Sequence, residues 1–178
     1  MVDASSEFQN SLPLSSDALL ETLKEWSIPY NLFEHVPLRT VEDSKKVEGI
    51  FISTENGGGH VKNLYLRDKK KRNILLVAEQ DQAIDFKKLS KNLNFSNLSF
   101  GSPERLMQNL GVRPGAVTPL SMINGVNNNV SLFMDKALRN KTVIYIHPLV
   151  NDRTIEMTIE NLEKFFSKIG VNFEWIDL

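Results

Sequence analysis

An α/β fold, with a mixed β-sheet and helices packed against it, is what this sequence predicts. Three observations carry the prediction. Strand-like apolar runs and amphipathic helical stretches interleave along the chain without a regular βαβ rhythm. Two of those runs, VKNLYL (61–66) and NILLVA (73–78), flank the polar stretch RDKKKR and read as a hairpin. With 178 residues, 41% of them apolar and 24% charged, the chain can bury a sizeable core and has an ordinary globular composition.

The elements follow in order. Residues 1–14 are polar and weakly patterned and are expected to form a loose arm, leaving 15–178 as one domain. In SSDALLETLKEW, Leu19, Leu20, Leu23 and Trp26 share one helical face, with Ser16 or Asp17 as cap. IPYNLFEH reads as a strand. TVEDSKKVEG reads as a short helix capped by Thr40, with Asp43 three residues on. After the hairpin come two helices, DFKKLSKNL and SPERLMQNLG. The second has Ser102 as cap, Pro103 in its first turn and Gly111 just past its end. AVTPLSMIN and VSLFMD are apolar runs flanking a GVNNN turn. TVIYIHP is a strand that ends at His147 and Pro148. TIENLEKFFSKIG is a helix with Ile159, Leu162, Phe165, Phe166 and Ile169 inward and Gly170 as its stop, and VNFEWIDL is a last strand.

Composition narrows the function classes. The formal net charge is -1, so no global field draws in nucleic acid, and any such binding must come from a local patch. The absence of cysteine removes disulfides, thiolate nucleophiles and Cys-based zinc sites. No apolar run approaches the roughly 20 residues of a membrane helix. MVDASSEFQNSLPL lacks the basic start and apolar core of a secretory signal, so a cytoplasmic protein with no membrane partner is expected. His35, His60 and His147 form no HExxH pair, and neither a GxSxG elbow nor a P-loop is present.

What remains is a set of polar residues beside glycines. Gly57, Gly58 and Gly59 precede His60, Lys62 and Asn63, and the reading is a flexible approach that delivers Lys62 to a pocket. Gly111, Pro114 and Gly115 form GVRPG between a helix and an apolar run. His147 and Pro148 end a strand, with Asn151 and Asp152 just after. Each has a plainer reading alone: a solvated lysine, a connecting loop, a structural histidine.

Together, GGGHVKNLYL, IDFKKL, LSFGSPERLMQNLGVRPGAVTPLSMIN and FMDKAL...YIHPLVND resemble, in this order, the YbaK/prolyl-tRNA-synthetase-associated editing domain family. The resemblance covers roughly residues 16–178 and is strongest to freestanding members that deacylate alanine mischarged on proline tRNA. It implies that family's editing-domain fold and an aminoacyl-ester hydrolase with neither cofactor nor metal. Water would attack the ester, helped by a hydroxyl of the terminal ribose. The resemblance places catalytic roles on Lys62, Asn63, Gly111, Gly115 and His147. It places substrate contacts on Pro114 and Pro148, and His60, just after the glycines, is read as a further substrate contact. It implies mischarged proline tRNA as substrate and prolyl-tRNA synthetase as a partner. An aminoacyl ester is already activated, so backbone N–H groups from a Gly/Pro loop could stabilise the oxyanion.

KKVEGIFISTENGGGH (45–60) is read as longer than its equivalent in close members, which leaves the choice of amino acid less settled than the ester chemistry. RDKKKR offers Arg67, Lys69, Lys70, Lys71 and Arg72 for acceptor-stem phosphates, or simply a solvated turn. Two alternatives stay open: the same chemistry on cysteinyl- or seryl-tRNA, and a tRNA- or synthetase-binding module without activity.

Overall fold

The computed structural model describes residues 1–178. Eight strands form one mixed sheet: β1 (Asn31–Glu34), β2 (Gly58–Arg67), β3 (Asn73–Glu79), β4 (Ser99–Phe100), β5 (Val130–Asp135), β6 (Val143–Ile146), β7 (Arg153–Met157) and β8 (Phe173–Ile176). Their order is β1-β7-β6-β2-β3-β5-β8, with β4 added beside β2. The hairpin β2/β3 is antiparallel, whereas β2/β6, β3/β5 and β5/β8 are parallel. The mixed α/β architecture expected from the sequence is therefore present. No helix is long and apolar enough to cross a membrane.

NILLVA is apolar without alternation because β3 lies mid-sheet and is covered on both faces. Leu75 and Val77 join the larger core, under α1 (Ser16–Glu25), α4 (Pro103–Leu110), α5 (Met122–Gly125) and α6 (Ile159–Ile169). Ile74 and Leu76 join a smaller cluster beneath α3 (Phe86–Asn92). The helices start where short polar side chains meet free N–H groups. Thr40 accepts from Asp43 N–H at the start of α2 (Val41–Val47), Ser102 from Arg105 N–H and Thr158 from Asn161 N–H. The cap of α1 is Ser15, one residue before the expected pair.

Four features depart from the sequence reading. The chain from Ala4 to Ser11 is docked rather than loose. Residues 6–11 form a 3-10 turn, Ser6 donates through N–H and Oγ to the Asp152 carboxylate, and the Ala4 carbonyl accepts from Asn151 N–H. These are local side-chain and backbone bonds, which leave no periodic trace. Second, β7 was not foreseen. Arg153 and Glu156 interrupt its apolar pattern, and it exists because β1 and β6 flank it. Third, the two-residue β4 forms only through its pairing to β2. Fourth, after Val117 the run AVTPLSMIN becomes short helical turns over Pro119–Ser121 and Met122–Gly125.

The glycine run is also not a flexible approach. Gly58 and Gly59 are buried inside β2, and only Gly57, at φ 98°, makes a turn. A Cβ on Gly58 would lie 1.9 Å from the Ile52 carbonyl oxygen. Glycine is required there because the chain at Ile52–Ser53 crosses directly over the strand.

Candidate active site

The cleft arises where the sheet splits. β2 pairs with β6 only over Gly58–His60 and with β4 only at Leu66 and Arg67. From Val61 to Tyr65 it has β3 on one side and no strand on the other. The His60 carbonyl accepts from Gln80 N–H, on the β3 side, and the Tyr65 carbonyl accepts from Gly101 N–H, on the opposite side. By strand alternation Asn63, two residues before Tyr65, turns its backbone N–H and C=O toward the uncovered edge.

An open cleft of about 690 Å³ fills that gap. Lys62, Asn63, Gly115 and His147 line it, together with Leu38, Ser44 and Val117. A recess of about 470 Å³ adjoins it and reaches Glu48, Phe51, His60, Gln80 and Tyr145. Leu38, Ser44, Val61, Asn63 and His147 line both, so they form one composite site. Four of the five residues expected to act in catalysis are brought together.

The Lys62 ammonium donates to the Gln82 carbonyl, which holds it on the rim. Asn63 Oδ1 is buried and has no partner. The loop from Gly111 to Val117 opens toward the cleft at Gly115, where φ is 93°. Gly115 and Val117 N–H groups have no acceptor within the protein, whereas Ala116 N–H is bonded to the Arg113 carbonyl. Both residues line the cleft, and an unbonded backbone donor at such a wall can stabilise negative charge on a carbonyl oxygen.

His147 Nδ1 sits 2.8 Å from the Arg153 carbonyl. A carbonyl only accepts, so Nδ1 carries the proton and Nε2 keeps its lone pair. Packing around the ring holds the pKa of His147 below its ordinary value, with the His35 ring nearby acting in the same direction. The neutral imidazole is an acceptor for a hydroxyl or a water. Activity is therefore expected to stay level as pH falls through the ordinary histidine value of about 6.5. It should fall only at lower pH, when Nε2 takes a proton. A pH–rate profile of kcat checks this, and a loss centred on 6.5 contradicts it. The stability term has the matching sign. The unfolded chain binds this proton first, so acid below about 6.5 disfavours the folded state.

Of the other expected site residues, only His60 touches the composite site, as part of the recess wall. Gly111 ends α4 at φ 66°, and a Cβ there would meet Asn124 Nδ2 at 2.6 Å. Its role is helix capping, and it does not line the cleft. Pro114 is exposed and Pro148 buried, and neither lines the site. His60 is buried and stacked on Tyr145, with ring centroids 5.0 Å apart, and donates from Nε2 to the Ile52 carbonyl. It supports the wall of the inner recess.

The basic hairpin tip divides in two. Arg72 grips the buried Asp68 carboxylate at 2.6 Å, donates to the Asn94 carbonyl and lies 4.4 Å over the Phe95 ring. Burial alone would raise the pKa of Asp68, but hydrogen bonds from Arg72 and Ser96 bring it to about 2. Arg72 is thus a structural residue. Lys69, Lys70 and Lys71 are exposed. Arg67 stands five residues along β2 from Lys62, about 17 Å at strand spacing. If the tip contacts phosphates, a Lys69/Lys70/Lys71 triple alanine variant weakens tRNA binding and lowers the salt slope by roughly 0.7–0.9 per lost contact. Arg72→Ala should instead lower the melting temperature. Both are read by filter binding across a salt series and by thermal melts.

The sequence reading passed over Leu38, Ser44 and Val117, which carry no periodic or motif signal. No group of three or more His, Asp or Glu side chains converges to hold a metal ion.

Comparison with known proteins places this geometry in context. Residues 35–165 match the model of the aminoacyl-tRNA editing domain family. The chain is 36% identical over 165 residues to the prolyl-tRNA editing protein ProX of Acetoanaerobium sticklandii, covering 92% of this chain and 98% of that protein. It is 31% identical over 152 residues to prolyl-tRNA synthetase associated domain-containing protein 1 of Danio rerio, covering 84% and 80%. A solved structure described as a candidate trans-editing enzyme for prolyl tRNA synthetase superposes with a TM-score of 0.66 at 17% identity. That alignment covers 92% of this chain and 97% of the other, a likeness of fold.

Proposed function

The chain belongs to the aminoacyl-tRNA editing domain family, and from that premise we propose that it is a trans-editing deacylase. It hydrolyses the ester of tRNA(Pro) mischarged with alanine, in the cytoplasm, and meets the substrate alone or beside prolyl-tRNA synthetase. One observation carries the reading most strongly. The uncovered stretch of β2 brings Lys62 and Asn63 into one cleft with His147, Gly115 and Val117, and the last two have unbonded N–H groups.

The roles follow from chemistry. Lys62, a compact cation on a long stem, holds an electron-rich group at the 3′ end. Gly115 and Val117 N–H groups face the ester carbonyl and take up its charge as water adds. His147 Nε2 accepts from the terminal ribose hydroxyl or the attacking water and orients it. Asn63 contributes both donor and acceptor capacity beside them. The recess beyond receives the amino-acid side chain, and discrimination between a methyl group and the proline ring would be made there.

The test is the decay of alanyl-, prolyl-, seryl- and cysteinyl-tRNA(Pro) with the wild-type protein. Fast loss of the alanyl ester, with the prolyl ester spared, supports the reading. The Glu48 carboxylate in the recess favours a second reading, seryl ester, because it can accept from a hydroxyl. Faster seryl than alanyl decay selects that reading. Binding of tRNA with no ester lost would identify a non-catalytic module.

A further inference from the structure

We propose that Asn151 is a further catalytic residue, a side-chain donor to the ester carbonyl as it becomes an oxyanion. The inference rests on the deacylase reading above. Asn151 is 2% exposed, yet neither end of its carboxamide is bonded within the protein. Its Oδ1 is buried without a partner, and its Nδ2 makes no hydrogen bond. A buried carboxamide oxygen left unpaired costs about 1–3 kcal/mol and is rare in folded proteins.

The backbone around it is, by contrast, fully engaged. Asn151 N–H donates to the Ala4 carbonyl, and the Asn151 carbonyl accepts from Leu38 N–H. Two residues earlier, Leu149 holds φ 69°, a left-handed conformation unfavourable for a branched side chain. That turn carries the chain from His147 to Asn151. Strain in the backbone and an unsatisfied side chain therefore occur together, a combination that clusters at functional sites.

The position of the side chain says what it serves. A Cβ built on Gly115 would lie 3.4 Å from Asn151 Nδ2. The amide thus sits against Gly115, a residue of the cleft wall, and its Nδ2 is unbonded yet not among the fully buried atoms. Nδ2 can only donate, and the substrate group expected beside Gly115 is the ester carbonyl. Asn151 Nδ2 with the Gly115 and Val117 N–H groups would give that oxygen three donors. Water adds to the carbonyl carbon, the carbonyl π pair moves onto oxygen, and these donors receive the charge. The water's proton passes to His147 Nε2, and collapse expels the ribose oxygen, which takes that proton back from the imidazolium.

The experiment measures kcat and KM on alanyl-tRNA(Pro) for wild type, Asn151→Asp and Asn151→Ala, with a thermal melt of each. Loss of one oxyanion donor should lower kcat about 10²- to 10³-fold, with KM changed less than about threefold. A donor role also predicts a pH signature. Protonated Asp can donate, so the ratio of N151D to wild-type kcat should rise as pH falls below about 5, while the N151A ratio stays flat. A purely structural Asn would not produce that difference. If N151D does not fold, the kcat-against-KM split of N151A decides. An unchanged kcat, a rise confined to KM, or an N151D ratio as flat as that of N151A overturns the proposal. If wild type leaves every ester intact, the deacylase reading fails first and this inference falls with it.

Discussion

Gly115→Ala is expected to lower kcat for alanyl-ester hydrolysis about 10²- to 10³-fold with KM nearly unchanged, and to cost about 1–2 kcal/mol of stability. At φ 93° an alanine is strained whatever the space around it. The loop relieves that strain by turning, and the free N–H groups of Gly115 and Val117 turn with it. Each preorganised donor aimed at a developing oxyanion is worth about 3 kcal/mol. Gly111→Ala supplies the contrast. It too replaces a left-handed glycine, and its Cβ would displace Asn124, which donates to the Leu110 carbonyl. It should cost about 1 kcal/mol of stability and leave kcat within about twofold. Steady-state kinetics and melts on the pair separate the roles. Equal losses of kcat in both variants would place the oxyanion donors elsewhere.

Gly58→Ala is expected to have the largest effect on stability. Its Cβ would approach the Ile52 carbonyl oxygen at 1.9 Å and the carbonyl carbon at 2.8 Å, and both are backbone. Relief requires the 48–56 segment to lift. That breaks the bonds of Ile52 N–H to Tyr145 Oη, of His60 Nε2 to the Ile52 carbonyl, and of Gly58 N–H to the Ser53 carbonyl. Overpacking and unpaired polar groups each cost about 1–3 kcal/mol. A total of about 3 kcal/mol or more lowers the melting temperature by roughly 6–12 °C for a chain of this length. The same segment carries Glu48 and Phe51 into the recess wall, so selectivity among aminoacyl esters should loosen in the surviving fraction. A melting temperature within 2 °C of wild type would mean that the crossing at Ile52 moves freely.

Much of this was legible in the sequence, because strong local signals set it. Thr40, Ser102 and Thr158 cap helices, Gly170 stops one, and VKNLYL and NILLVA pair as a hairpin. Lys62, Asn63, Gly115 and His147 were recognisable through a family resemblance spread over several motifs. What was not legible depends on contacts between distant segments. β7 needs β1 and β6 beside it, and the first residues dock onto Asn151 and Asp152. Gly58 looked like freedom and is instead close approach, a distinction that exists only once Ile52 lies above it. Gly111 and Gly115 stand four residues apart in one motif, yet one caps a helix and the other faces the cleft. Arg72 joined a basic run in the sequence but is held by Asp68 in the fold.

The most direct test of the account is single-turnover hydrolysis of alanyl-tRNA(Pro) by wild type and Lys62→Ala. Removing a charged hydrogen-bonding group from the substrate contact costs about 1.5–3 kcal/mol, roughly a 10- to 150-fold slower reaction. The account predicts rapid loss of the alanyl ester with wild type, that slowing with Lys62→Ala, and an unaffected melting temperature. Hydrolysis by Lys62→Ala at the wild-type rate would contradict it and move the reacting ester away from the uncovered edge of β2.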